Sequence, residues 1–265
     1  MRILFLGDIV GKPGVAFVKK ALPMLVPREH IDLVIANAEN ATDGSGLSPK
    51  DYRRLREAGV DLVTLGDHVY KKRDIIAVLE EDERICRPAN FPAGAPGRDH
   101  ALATTKDGTT VAAFCLLGRT YMRPVECPYQ AAERVLQSLA GKAQCVVVDM
   151  HAEATADKYL IGHYLKGRVA AVLGTHTHVP TADEQILPGG TAFISDVGMT
   201  GPYDSILGRR IDRVLSTAVT FVPSAFDVAT DDSRLGGALV DIDPASGQAT
   251  AIRRFTLTEA SMSSF

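Results

Sequence analysis

The chain has 265 residues, 46% hydrophobic and 23% charged, with a formal net charge of −3. That length suits one α/β domain over residues 1–265 with a substantial core; no membrane-length apolar run or signal-peptide pattern is present, so a cytoplasmic protein without membrane contact is expected. Dispersed basic residues under an acidic balance argue against a broad surface for long nucleic acids, and Cys86, Cys115, Cys127 and Cys145 lack Cys-x-x-Cys spacing and read as reduced thiols.

Residues 2–6 are strand-like and end at Gly7-Asp8. The segment 7–13, Gly-Asp-Ile-Val-Gly-Lys-Pro, fails as a phosphate-binding P-loop: three residues rather than four separate the first glycine from Gly-Lys, and proline replaces the hydroxyl residue that should follow. Asp8 would also repel a phosphate unless a cation stood between them, which leaves it a metal-ligand reading or a turn role. Residues 14–22 are predicted helical, with Pro23 and Pro27 ending or kinking the helix. Residues 32–40 form a second buried strand with a polar end, where Asn37, Glu39 and Asn40 crowd together. Glutamate is a poor turn former, which favours a task for Glu39.

Ser48-Pro49 is a helix start, and that helix runs to about Gly59. Residues 61–68 repeat the earlier pattern of apolar strand, glycine, acid and histidine, ending at Gly66-Asp67-His68. Residues 71–81 are predicted helical and 87–97 a proline-glycine loop. Residues 110–117 read as a strand followed by Gly118-Arg119, where Arg119 could contact a phosphate or be an ordinary surface arginine. Helices are expected over 128–140 and 155–166, and a buried strand over 144–151 with His151 at its end. His163 reads as a helix-face residue, and His30 and His100 as loop residues. Residues 169–178 form an apolar strand that presents His176 and His178; two imidazoles at i and i+2 share one side of a strand, and a tight turn after Gly174 could also aim them at one point. Strands are then expected over 181–187 and 191–195, followed by a segment 196–205 of which 196–203 could wall a substrate pocket or, with its glycines, serve backbone turns, then a helical stretch within 208–221 and a terminal hairpin of 236–243 with 248–256.

Strand-helix alternation demands a mostly parallel sheet, and the later strand-turn-strand segments add an antiparallel portion. Two packed mixed sheets with helices outside accommodate both. Ligands gather at the carboxyl ends of strands in such folds. Asp8, Glu39 with Asn40, Asp67 with His68, His151, and His176 with His178 all stand directly after predicted strands, and five such coincidences point to a metal site. Seven or eight oxygen and nitrogen ligands exceed one tetrahedral zinc, so two ions bridged by a carboxylate at roughly 3.5–4 Å are expected. The mixed ligation suits iron, manganese or zinc.

Gly7-Asp8, Asn37-Ala38-Glu39-Asn40, Gly66-Asp67-His68, His151 and Gly174-Thr175-His176-Thr177-His178 resemble, in order, the motif blocks of calcineurin-like binuclear metallophosphoesterases. More narrowly, the chain is similar over nearly its whole length to the bacterial YmdB-like branch, whose members are cyclic-nucleotide phosphodiesterases. The resemblance implies a four-layer α/β/β/α sandwich of two mixed sheets. It implies Asp8, Glu39, Asn40 and His178 around one metal and Glu39, Asp67, His151 and His176 around the other, with Glu39 bridging and His68 protonating the leaving oxygen. Val10 stands where the wider superfamily has a histidine, in agreement with the narrower branch. Asp67 stands where the family has asparagine; the added negative charge should tighten divalent binding and lower Lewis acidity there.

The expected reaction is in-line attack on a small phosphodiester, such as a 2′,3′- or 3′,5′-cyclic nucleotide, by a hydroxide shared between the two metals. The same ligand set would serve a phosphomonoesterase or a small nuclease, and a metal-bound regulatory protein with little turnover is a further alternative. The family allows a homo-oligomer, although no heptad or exposed apolar stripe establishes one.

Overall fold

A computed structural model describes residues 1–262. Its strands are β1 (Arg2–Leu6), β2 (Asp8–Ile9), β3 (Leu33–Asn37), β4 (Leu62–Thr64), β5 (Ile85–Cys86), β6 (Ala101–Thr104), β7 (Thr110–Leu117), β8 (Cys145–His151), β9 (Ala171–Thr175), β10 (Gln185–Leu187), β11 (Thr191–Ile194), β12 (Met199–Pro202), β13 (Ser233–Asp243) and β14 (Gln248–Thr258). Its helices are α1 (Gly11–Arg28), α2 (Pro49–Glu57), α3 (Ile75–Glu81), α4 (Pro128–Leu139), α5 (Thr155–Leu165), α6 (Ile211–Thr220) and α7 (Glu259–Met262).

Among these residues the strands form two mixed sheets, one ordered β2-β12-β13-β1-β3-β4-β5 with β14 on β13, the other β10-β11-β9-β8-β7-β6. The runs β1-β3-β4-β5 and β7-β8-β9-β11 are parallel, and β6, β10, β13 and β14 supply the antiparallel pairs. Period-2 alternation sends successive strand residues to opposite faces. Ile3 and Phe5 of β1, Leu33 and Ile35 of β3, Val147 of β8 and Leu173 of β9 therefore meet between the sheets. Leu4, Leu6 and Val34 turn outward onto Val18, Leu22 and Leu55 of α1 and α2. Phe114, Val148 and Val172 turn the other way onto Val135 and Ile161 of α4 and α5. The order of layers is thus α/β/β/α, as expected.

Four local expectations need correction. The helix expected to end or kink at Pro23 and Pro27 does not end there but runs on as α1 to Arg28, with both prolines inside it. Both prolines lie on the exposed face, where carbonyls left without an amide donor can be hydrated, while Val18, Ala21, Leu22 and Leu25 hold the buried face. Helix α3 starts at Ile75 rather than residue 71. The strand expected over 181–187 is confined to Gln185–Leu187, because Thr181 and Asp183 bond across to Asp196 and Ser195 instead of to a neighbouring strand. The segment that could wall the pocket or serve turns contains β12, fully buried between β2 and β13. Ser48 caps α2 as expected: its side chain accepts from the Asp51 N–H, with Pro49 in the first turn.

Candidate metal centre

Because β1, β3 and β4 are parallel neighbours in one sheet and β8 and β9 in the other, their carboxyl ends share one rim of the sandwich. Glu39, Asp67, His151 and His176 converge there, each offering a ligand atom within 4.8 Å of the others. His151 Nε2 lies 3.3 Å from Glu39 Oε1, 3.3 Å from Asp67 Oδ1 and 3.1 Å from His176 Nδ1. Gly66 passes directly behind: a Cβ there would sit 2.3 Å from His151 Nε2 and 2.4 Å from Glu39 Oε2, so only glycine lets the chain run so close to the ligands.

Asp8, Asn40 and His178 adjoin this group. His178 Nε2 is 3.8 Å from Asp8 Oδ1 and 3.3 Å from Asn40 Nδ2, and Asn40 Nδ2 donates to Glu39 Oε1 at 3.2 Å. Here the amide turns Nδ2 to His178 and Oδ1 to His68 Nδ1, at 2.7 Å; ligation through Oδ1 needs a half-turn of the amide. Asp8 Oδ2 accepts from the His176 N–H, while Asp8 Oδ1 is buried with no hydrogen bond. A buried carboxylate oxygen left bare is costly unless a cation faces it. The residues therefore fit a divalent-metal site, in donor chemistry and in this orphaned oxygen.

The electrostatics agree. Burial raises the Asp8 pKa to about 6, against the pull of His178 and His151. Burial also opposes charge on Glu39 and Asp67, yet His151 carries both below the usual carboxylate range. Burial should discharge His151, but Glu39 and Asp67 hold its pKa well above the ordinary value. Burial and the neighbouring His151 lower that of His176. Without metal, a proton on His151 thus supplies the positive charge that a cation would bring, and metal binding must displace it.

Groups behind the candidate ligands aim them. Asp149, mid-strand in β8 and fully buried, accepts from Asn37 Nδ2 at 2.9 Å, Thr64 Oγ1 at 2.6 Å and Thr175 Oγ1 at 2.5 Å. It thereby ties β3 and β4 of one sheet to β8 and β9 of the other. Thr175 Oγ1, its hydrogen given to Asp149, accepts from His151 Nδ1 at 2.8 Å, so Nε2 is the nitrogen at the cluster from which a metal would displace the proton. His176 Nε2 faces Glu153 at 3.4 Å, and His178 Nδ1 donates to the Leu207 carbonyl at 3.0 Å. Asp149, Glu153 and Thr175 were missed in the sequence; a lone acid inside the apolar run Val146-Val147-Val148-Asp149-Met150 was the available signal.

Of the remaining singled-out residues, His68 stands at the rim with its side chain about one-third exposed and its N–H donated to Glu39 Oε2. Arg119 is exposed, its backbone N–H on Asp157 and its side chain beside the Cys127 thiol. His163 is exposed on α5, His100 pairs with Asp99, and His30 lies in a turn after α1. All four cysteines are free. Among the described residues no helix is long and apolar enough to cross a membrane.

Comparison with known proteins places this arrangement. A family model described as YmdB-like protein matches residues 4–255. A 2′,3′-cyclic-nucleotide 2′-phosphodiesterase of Bacillus subtilis (strain 168) is 41% identical over 262 residues, covering 99% of each chain. A hypothetical protein from Thermus thermophilus superposes with a TM-score of 0.91 at 42% identity, over 98% of this chain and 100% of that one. A phosphatase from Mycoplasma pneumoniae superposes with a TM-score of 0.89 at 31% identity, over 97% and 93%. With its two mixed sheets and the ligand-type residues at their common rim, the chain belongs to the YmdB-like family of calcineurin-like metallophosphoesterases.

Proposed function

We propose that this protein is a metal-dependent phosphodiesterase acting on small phosphodiesters, 2′,3′- or 3′,5′-cyclic nucleotides among them. The observation that carries the reading is the buried, unbonded Asp8 Oδ1 facing a cluster in which Glu39, Asp67, His151 and His176 already lie within 4.8 Å. In this reading Asp8, Glu39, Asn40 and His178 hold one ion, and Glu39, Asp67, His151 and His176 the other, with Glu39 shared. Two divalent ions so held, iron, manganese or zinc, would supply a nucleophilic water near neutral pH and neutralise the phosphoryl oxygens. Asp67, with a full negative charge where an amide would have none, favours tight retention of the second ion.

His68 is the general acid of this scheme. Its backbone N–H is donated to Glu39 Oε2, which holds the residue against the ligand shell, and its Nδ1 faces the Asn40 amide, through Oδ1 in this structure and through Nδ2 once Oδ1 turns to an ion; Nε2, 3.9 Å from Asp67 Oδ2, is the nitrogen able to carry a proton to the departing ribose oxygen. The name of the Bacillus subtilis relative supports a cyclic-nucleotide substrate. That of the Mycoplasma pneumoniae neighbour supports a second reading, a phosphomonoesterase using the same residues.

Chelator-stripped protein restored with Mn²⁺ is to be assayed on bis-p-nitrophenyl phosphate beside p-nitrophenyl phosphate. Metal-dependent cleavage of the diester with little turnover of the monoester is the expected result, followed by discrimination between 2′,3′- and 3′,5′-cyclic nucleotides. Preference for the monoester would replace the proposal with the phosphatase reading, and metal uptake with no turnover would replace it with a regulatory one.

A further inference from the structure

The turn that carries His176 and His178 is unfavourable on its own. Both histidines have positive φ, 93° and 66°, a region that L side chains avoid and that persists only where the surroundings over-determine it. Backbone is close-packed below the turn: a Cβ on Gly174 would fall 1.6 Å from the Ser195 carbonyl oxygen. The residue between the two histidines, Thr177, is held at two points by one carboxylate oxygen. Asp196 Oδ2 accepts from the Thr177 N–H at 3.2 Å and from Thr177 Oγ1 at 2.8 Å.

That oxygen also accepts from Lys158 Nζ at 2.6 Å, and the ammonium and carboxylate side chains are 2% and 1% exposed. Asp196 Oδ1 accepts from the Gly198 N–H at 2.8 Å. The Asp196 backbone is fixed as well, its N–H donating to Thr181 Oγ1 and its carbonyl accepting from the Thr181 N–H. The chain on either side of His178 is therefore pinned at residues 177 and 181 to one buried acid. A buried ion pair is a poor source of stability beside an apolar pair of similar volume, so burying Lys158 from near the start of α5 calls for another reason. Here the lysine fixes the orientation of a carboxylate that already has three N–H or O–H donors.

We propose that Lys158 and Asp196 are positioning residues: acting through Thr177, they hold the His176-Thr177-His178 turn so that its two imidazoles serve two different metal ions at once. The inference rests on the two-metal reading of the site. It has a signature that loss of a single ligand lacks. Removing His176 or His178 weakens one ion, whereas loosening Thr177 weakens both.

The test uses the full chain, stripped by chelator and titrated with Mn²⁺ in a calorimeter, beside thermal unfolding of the metal-free protein. Thr177→Val removes the hydroxyl donor and leaves the ion pair three of its four hydrogen bonds. We expect it to weaken both Mn²⁺ sites by roughly 10–100-fold, the range for partners behind metal ligands, without lowering the melting temperature of the metal-free protein. Thr177→Ser should restore both affinities. The double variant Lys158→Met/Asp196→Leu, which leaves no unpaired buried charge, should fold and show the same loss at both sites. If wild type takes up two ions and both Thr177→Val and the double variant bind them as wild type does, the pair serves packing alone and the inference is overturned. Loss at one site only would overturn it too. A wild type that takes up no Mn²⁺ would overturn the two-metal reading itself.

Discussion

The two halves of the ligand cluster are supported in different ways. Around His151 the support is side chain on side chain: Asp149, Thr175, Thr64 and Asn37 form a buried network reaching four strands of both sheets. Around Asp8 and His178 it is backbone and neighbouring ligands: His178 leans on the carbonyl of Leu207, itself half exposed and at positive φ, and Asn40 leans on His68. His151 is set by strands that cannot shift without opening the core. In the other half Asp8 sits on strand β2, while Asn40 and His178 sit in loops. The half built on the buried network should take the tighter ion and the half that leans on loops the more exchangeable one.

The largest expected effect erases the contrast. In the proposed scheme Glu39 is the carboxylate shared by both ions, so Glu39→Gln should weaken both by more than the roughly 10–100-fold that follows loss of a partner behind the ligands. Activity should fall with them, as metal content after dialysis would show; a variant holding one ion at full affinity would argue that Glu39 does not bridge. His68→Ala tests the boundary between ligand and acid. Turnover should drop by about 10²–10⁴ with metal content unchanged, whereas loss of metal would place His68 inside the ligand set. Thr175→Val sharpens the comparison from one side. Removing the hydroxyl that fixes His151 should weaken the ion in that half by about 10–100-fold and spare the other, giving a split calorimetric isotherm.

The smallest effect is on pH. In the metal-free protein the Asp8 pKa is raised from 3.8 to about 6. A group whose folded pKa is raised stabilises the fold at low pH and loses that contribution as pH climbs through the folded value. Metal-free protein should therefore lose stability between pH 3.8 and about 6 on account of Asp8. Bound Mn²⁺ favours the ionised carboxylate, so the gain in melting temperature on adding Mn²⁺ should widen across that window. A gain that narrows instead would remove Asp8 from the ligands.

The ligand-type residues were legible because each ends an apolar run, and an acid, amide or imidazole in that place stands out against the hydrophobic period. The supporting groups were not, for a physical reason. Thr64 and Thr175 are ordinary strand residues by propensity, and Lys158 in a helix reads as solvated. What gives them work is proximity across two sheets, which no local pattern encodes. The prolines of α1 mislead for the converse reason: local propensity favours a break there, and the packing of Val18, Leu22 and Leu25 overrides it. Strand β12 was hidden because its sequence, Met-Thr-Gly-Pro, lacks an alternating pattern and forms between β2 and β13, strands that lie far apart in the chain.

The clasp between the sheets bears on how the protein acquires its metal during synthesis. Ligand-type residues run from Asp8 to His178, and the first sheet is completed only when β13, paired with β1 and β12, has been made. Such long-range closure comes late. Until the sheets close, Asp8, Glu39, Asp67, His151 and the His176–His178 pair lie on separate stretches of chain, and a multidentate site for a cation would exist only once the geometry is finished.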